Sequence, residues 1–147
     1  REASIPVVGD IEDDDYDDFD QLLNLVDHLI ISNDFALNIS GCSSPGDAVE
    51  KLWDTDKEFI AVTNGENGCW YRCSGDSKIY HQSAFSVPEV DTTGCGDVFH
   101  GAYALALAKG LPTRDRVKIA SASAALKAKG EILSKKTLEL LLGETLI

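Results

Sequence analysis

Residues 91–97 read DTTGCGD and lead directly into a predicted helix, which runs from Asp97 to Lys109 and ends at a Gly-Leu-Pro exit. Within this stretch, Gly94 and Gly96 flank one small residue, so that several backbone N–H groups can converge on one point. The N-terminus of the helix adds its partial positive charge there. The stretch therefore predicts a site for a phosphoryl group, or for negative charge that develops during a reaction.

Asp97 is expected at the rim of this anion site. A bound phosphate would repel its carboxylate, which favours a task for the residue, such as accepting a proton from a hydroxyl group during transfer. The alternative is that the glycines form only a tight turn and that the aspartate is an ordinary helix N-cap. The two glycines and the aspartate alone leave both interpretations open.

The chain before residue 91 alternates between apolar runs typical of strands and stretches with helical periodicity. This alternation implies a mostly parallel sheet flanked by helices, and two turn-rich segments add an antiparallel hairpin at one edge. We therefore expect an α/β fold in a single domain, residues 1–147. The expected strands cover 5–10, 28–31, 58–63, 69–72 and 78–81. The expected helices cover 19–26, 45–53 (capped by Ser44), 97–109, 113–127 (capped by Thr113), and a last one capped by Ser134.

The composition excludes several classes of protein. A hydrophobic content of 44% is too high for a disordered chain, and no apolar run approaches the roughly 18 residues of a membrane span. The net charge of −12 argues against nucleic acid as a partner. Residues 10–20 contribute −8 of that charge, and we interpret them as a solvated loop, with a metal site or a docking segment as the alternatives.

The cysteines and histidines predict neither a disulfide framework nor a zinc site. Cys69 and Cys73 fall on one expected strand, which would hold them about 13 Å apart. The three histidines are scattered along the sequence.

The chain begins at Arg1, without a methionine or a recognisable signal peptide. We therefore expect a piece of a longer intracellular protein, located in the cytoplasm or in an organelle.

Residues 91–99, together with Gly101 and Ala102, resemble the C-terminal signature of the ribokinase/PfkB carbohydrate kinases. The resemblance implies the three-layer ribokinase-like fold, of which this chain would be the C-terminal, nucleotide-binding half. It implies ATP and Mg²⁺ as cofactors, and a hydroxyl group of a sugar or nucleoside as the acceptor. By the same resemblance Asp97 is the general base, and the backbone of Gly94, Cys95 and Gly96 is the anion hole. Cys95 replaces the usual alanine.

Two upstream segments extend the resemblance. Residues 63–68 are similar to the family's Thr-x-Gly-x-x-Gly turn, which implies that Thr63, Gly65 and Gly68 bind the nucleotide phosphates. The alternative for this segment is a plain hairpin turn. Asn33 matches the first residue of the family's Asn-x-x-Glu segment, although Ala36 replaces the glutamate that is associated with the metal-bound phosphates.

The resemblance also implies a monovalent cation, such as K⁺, at Asp91 and the carbonyl group of Thr93. However, residues 128–131 are shorter than the loop that usually completes this cation site, so we expect no dependence on K⁺. In the preceding helix, Ser121 and Ser123 either face the adenine or allow close packing, and we favour packing.

The leading function is therefore an ATP-dependent phosphotransferase, and this chain alone is expected to be inactive because the acceptor half is absent. The alternative is a non-catalytic nucleotide-binding or regulatory protein with the same fold. A Ser-His-Asp hydrolase is disfavoured, since the sequence has no nucleophile-elbow motif. The missing strands would leave a sheet edge unpaired, which predicts a homo-oligomer.

Overall fold

The computed structural model describes residues 5–15, 17–54 and 56–145, so that the start of the chain at Arg1 lies outside it. The described residues form two compact units. One extends up to Asn64 and includes Cys69–His81, and the other joins Gly65–Gly68 to the residues from Gln82 onward. The elements are β1 (Val8–Asp10), α1 (Phe19–Leu25), β2 (His28–Ser32), α2 (Asn33–Ser40), α3 (Pro45–Leu52), β3 (Phe59–Thr63), a 3₁₀ turn (Gly65–Asn67), β4 (Cys69–Cys73), β5 (Tyr80–Gln82), α4 (Cys95–Ala108), α5 (Thr113–Ala128) and α6 (Lys135–Leu142).

The five strands form one sheet in the order β1-β2-β3-β4-β5. β1 and β2 are parallel, as are β2 and β3, whereas β3 and β4 are antiparallel. Ala61 lies at the centre of this pattern, since it pairs with Ile30 on one side and with Tyr71 on the other. The predicted sheet, mostly parallel and closed at one side by an antiparallel strand, is therefore confirmed.

The central strands β2 and β3 are buried on both faces, which explains their nearly continuous apolar sequences. On one face, α2 and α3 contribute to a hydrophobic cluster with alternate strand residues. On the other face, aromatic rings follow one another across the strands: the centroids of His28 and Phe59 are 6.0 Å apart, and those of Phe59 and Tyr71 are 5.8 Å apart. The cluster includes Leu29, Ile31, Ile60 and Val62 from the strands and Phe35, Ala36, Ala48 and Val49 from the helices.

Helix α2 is the element that the sequence analysis missed. It begins directly at the end of β2, where the hydroxyl oxygen of Ser32 accepts a hydrogen bond of 3.3 Å from the amide of Phe35. It ends at Gly41, which has a left-handed φ of 65°. Helix α3 follows as predicted, with Ser44 as its cap and Pro45 in its first turn.

Cys69 and Cys73 lie on strand β4, and both thiols are free. Burial raises the pKa of the Cys69 thiol to about 12, so this side chain stays protonated and unreactive at physiological pH. In the parts of the chain that the structure describes, no group of three histidine, cysteine or acidic side chains could hold a metal ion.

The second unit contains helices α4, α5 and α6. Helix α4 buries Phe99, Tyr103 and Ala106, and it packs against α5. The hydroxyl of Ser123 donates to the carbonyl of Ile119 one turn earlier, so Ser123 is a buried packing residue of α5. Helix α5 begins at Thr113 and its N-cap residue is Pro112, so the prediction of Thr113 as the cap is wrong. Helix α6 is capped by Ser134, as predicted. None of the described helices is both long and apolar enough to cross a membrane.

Candidate functional site

The start of helix α4 has the geometry of an anion-binding site. Gly94 is its N-cap residue and has a φ of 75°, a left-handed conformation that favours glycine. The amide of Cys95 donates to the carbonyl of Thr92, and the amide of Val98 donates to that of Gly94, both over 3.1 Å. Between them, the amides of Gly96 and Asp97 make no backbone hydrogen bond to another described residue. These two N–H groups and the helix dipole are available to an anion.

The side chain of Asp97 lies beside these amides. It is exposed and makes no hydrogen bond or ion pair with another described residue. A Cβ atom built on Gly94 would lie 3.6 Å from Oδ2 of Asp97, so a side chain at position 94 would contact the carboxylate. This is an ordinary van der Waals distance, so the left-handed φ accounts for glycine at position 94.

Cys95, which replaces the family's alanine, turns its thiol away from solvent. Its Sγ atom donates to the carbonyl of Ala124 in α5 over 3.5 Å. Burial is the main cause that raises the pKa of this thiol. The thiol is therefore a protonated donor that links α4 to α5, and its hydrogen bond is directed to Ala124 rather than to the anion site.

Asp91 is held by Lys127 and by both the amide and the side chain of Thr93. The amide of Thr93 donates to its Oδ1 over 3.0 Å, while Nζ of Lys127 lies 2.9 Å from its Oδ2 and 3.4 Å from its backbone oxygen. The hydrogen bond from Lys127, followed by those from Thr93, lowers the pKa of Asp91 to about 2. Lys127 had no role in the sequence analysis, because nothing local links residues that are 36 positions apart.

His100 also contacts this helix turn. Its Nδ1 lies 2.7 Å from the carbonyl oxygen of Gly96, so the ring donates a hydrogen bond from that nitrogen. Spacing of four residues on a helix would have allowed this contact to be predicted.

The turn at residues 65–68 belongs to the same unit as residues 91–97. Gly65 and Gly68 have φ values of 50° and 90°, and the amide of Gly68 donates to the carbonyl of Gly65 over 3.0 Å. A Cβ atom on Gly68 would lie only 2.2 Å from the backbone oxygen of Gln82, whereas one on Gly65 would have open space. Packing therefore requires glycine at position 68 but not at position 65.

Asn33 and Thr63 lie in the sheet unit, at the carboxyl ends of the neighbouring parallel strands β2 and β3. This edge is where ligands bind in open α/β sheets. The hydroxyl of Thr63 donates to the carbonyl of Ile31 over 3.3 Å. The Oδ1 atom of Asn33 is buried and has no hydrogen-bond partner among the described residues.

Comparison with known proteins identifies the family and the fold of the chain. The profile of the pfkB family carbohydrate kinases matches residues 2–135. The chain belongs to the pfkB carbohydrate kinase family. The ribokinase-like fold is also confirmed, because the structure of Arabidopsis thaliana ribokinase complexed with ribose and ATP superimposes with a TM-score of 0.80 and 27% identity. That match covers 96% of this chain and 48% of the other.

Relatives within the pfkB family are similar over shorter stretches. The 2-dehydro-3-deoxygalactonokinase of Haloferax volcanii is 38% identical over 84 residues, or 57% of this chain and 26% of that protein. The ribokinase of Arabidopsis thaliana is 28% identical over 141 residues, or 91% of this chain and 37% of that protein. The chain thus spans well under two thirds of the length of either relative. The roles expected for individual residues stay predictions.

Proposed function

We propose that this pfkB-family chain is the nucleotide-binding, C-terminal part of an ATP-dependent kinase, and that the complete protein phosphorylates a hydroxyl group of a sugar or nucleoside. The single observation that carries this proposal is the start of α4. There the free amides of Gly96 and Asp97 lie beside a carboxylate with no partner among the described residues. The neighbouring ribokinase that was solved with ribose and ATP supports the choice of nucleotide and of acceptor class.

In the proposed reaction, the acceptor oxygen attacks the γ-phosphorus of ATP. A new oxygen–phosphorus bond forms as the bond to the β–γ bridging oxygen breaks, and ADP leaves. The Asp97 carboxylate accepts the proton that the hydroxyl group loses. The amides of Gly96 and Asp97 stabilise the negative charge on the transferring group, aided by the dipole of α4, a helix of 14 residues. Gly94 supports the stabilisation of charge, since its left-handed φ of 75° forms the start of α4 at which these amides lie.

The remaining predicted residues are assigned to ATP. Gly65 is the stronger candidate in its turn, because packing does not explain glycine there, whereas it does at Gly68. Thr63 and Asn33 are assigned by their position at the carboxyl ends of β3 and β2.

Mg²⁺ fits this chain only as a companion of the ATP phosphates. Ala36, at the position of the family's glutamate, is fully buried in the hydrophobic cluster, so no carboxylate is supplied there. In this segment, the oxygen atoms that would suit the ion or its waters are Oδ1 of Asn33, which has no hydrogen-bond partner among the described residues, and those of the exposed Asp34 carboxylate. When bound, the ion would neutralise charge on the phosphates.

The test of the proposed function is Asp97→Asn in the full-length protein that contains this chain. We expect phosphoryl transfer to fall by about 10²- to 10⁴-fold, as for the loss of a general base, while the Kd for Mg-ATP changes little. Transfer would be measured as ADP formation with a panel of sugars and nucleosides. Asp115→Asn is the matched control, since Asp115 is another exposed aspartate in the first turn of a helix. Unchanged turnover in Asp97→Asn would remove the catalytic assignment.

A second candidate function is nucleotide binding without turnover. The buried alanine at position 36 favours it, because the chain lacks the family's phosphate-associated glutamate. Wild-type protein that binds Mg-ATP but forms no ADP with any acceptor of the panel would support this candidate over the kinase.

A further inference from the structure

Lys127, in the last turn of α5, directs its ammonium group at the segment that precedes the anion site. Its Nζ atom lies 2.9 Å from Oδ2 of Asp91 and 3.4 Å from the backbone oxygen of the same residue. The family resemblance implies a monovalent cation at Asp91 and at the carbonyl group of Thr93. The ammonium group of Lys127 therefore already contacts two oxygen atoms of Asp91 that such a cation would need as ligands.

The other oxygen atoms around Asp91 are also engaged. Oδ1 of Asp91 accepts the amide of Thr93 over 3.0 Å. The carbonyl oxygen of Ala128 accepts two amides, those of Val90 over 2.8 Å and of Asp91 over 3.1 Å, which uses both of its lone pairs. Among the oxygen atoms of Asp91, Ala128 and Thr93 that the structure describes, the carbonyl oxygen of Thr93 has no hydrogen bond to another described residue, whereas both Asp91 carboxylate oxygens, the Asp91 backbone oxygen and the Ala128 carbonyl oxygen each have at least one. One carbonyl group does not hold a monovalent cation beside an ammonium group, so the residues present do not fit K⁺.

These contacts link Lys127 to the anion site. The Ala128 carbonyl and the Lys127 ammonium group fix residues 90 and 91 to the end of α5. Asp91 in turn fixes the amide of Thr93, the residue directly before the N-cap Gly94.

We propose that the ammonium group of Lys127 takes the place of the monovalent cation at Asp91 and Thr93, and that Lys127 is a positioning residue for the nucleotide site. The chain therefore needs no K⁺ at this position. The inference rests on the proposed function in one respect only, namely that residues 91–97 bind the nucleotide.

The test compares KCl with choline chloride at equal ionic strength, on the full-length protein, with two readouts: the unfolding temperature and the Kd for Mg-ATP. Wild-type protein should give the same values in both salts. Lys127→Met should, in choline chloride, lower the unfolding temperature by about 2 °C and raise the Kd about threefold. K⁺ should reverse both effects, because the vacated oxygens can then hold the ion. Lys127→Arg should keep both values close to those of the wild type.

Lys129→Met is the matched control, because Lys129 follows α5 directly and pairs with Glu131 rather than with Asp91. Its unfolding temperature and its Kd for Mg-ATP should be the same in KCl and in choline chloride. The proposal is overturned if Lys127→Met matches this control, or if K⁺ does not reverse its loss. It is also overturned if the wild-type values improve saturably with K⁺, an outcome that decides even when Lys127→Met does not fold. Absence of Mg-ATP binding in every salt would count against the proposed function, and the unfolding temperatures would still test Lys127.

Discussion

Gly68 shows how one residue can match a functional motif for a structural reason. The resemblance to the family's phosphate-binding turn depends on it, yet its φ of 90° and its proximity to Gln82 already demand glycine. Gly65, in the same turn, also has a left-handed φ, of 50°, but the space around it is open. Gly65 is therefore the better candidate for binding the nucleotide, whereas packing alone explains the glycine at position 68.

We predict that Gly68→Ala destabilises the protein by about 3 kcal/mol, because the new methyl group would contact the backbone oxygen of Gln82 in a strained conformation. Urea unfolding measures this change in the free energy of unfolding. Gly75→Ala is the control, since Gly75 has a φ of 82° but open space around it, and about 1 kcal/mol is expected there. Equal losses in the two variants would show that contact with Gln82 contributes nothing.

Whether a contact near the anion site can be predicted depends on how far apart in sequence the two contacting residues are. Gly94, Gly96 and Asp97 could be predicted because their geometry depends on neighbours within a few residues and on one helix end. The ion pair of Asp91 with Lys127 could not, because only the packing of α5 beside this segment brings the two side chains together. The sequence could therefore suggest a cation site at Asp91 but could not show which group supplies the positive charge.

At the scale of elements, strands were easier to predict than the short helix α2. The apolar runs of β2 and β3 are continuous, rich in β-branched residues and bounded by polar residues, a pattern that favours a short buried strand. Helix α2 has only eight residues and starts directly where β2 ends, so its polar first residues resemble the end of a strand as much as the start of a helix. Its signals were nonetheless present at both ends, in the cap Ser32 and the left-handed Gly41.

We predict that Ser32→Ala lowers the free energy of unfolding by about 1 kcal/mol, because the amide of Phe35 loses its acceptor at the start of α2. The same variant should weaken Mg-ATP binding if Asn33, the first residue of α2, contacts the nucleotide. Urea unfolding and calorimetric titration measure the two effects. Ser43→Ala, at an exposed serine, is the control and should change neither value. A stability equal to that of the wild type would show that the Ser32 cap is dispensable.

At the scale of the whole molecule, the main feature is the free side of the sheet at β1. Among the described strands, β1 pairs with β2 and with no other, so its second side is an open edge. Two large apolar side chains lie just before it and are exposed, Ile5 at 74% and Val7 at 43%. Open, apolar strand edges favour pairing with another chain. This is the physical basis for the homo-oligomer expected from the sequence.

We predict that this chain self-associates through β1, so that its sedimentation coefficient rises with protein concentration. Val7→Lys should weaken the association about tenfold, because a charge beside the edge strand opposes strand pairing and would have to lose water on burial. Leu140→Lys is the control, since Leu140 is also exposed, at 82%, but lies on helix α6. Wild-type protein that remains monomeric at all concentrations contradicts the prediction. An equal effect of both lysines would instead assign the association to general apolar exposure, because only Val7 adjoins the open edge.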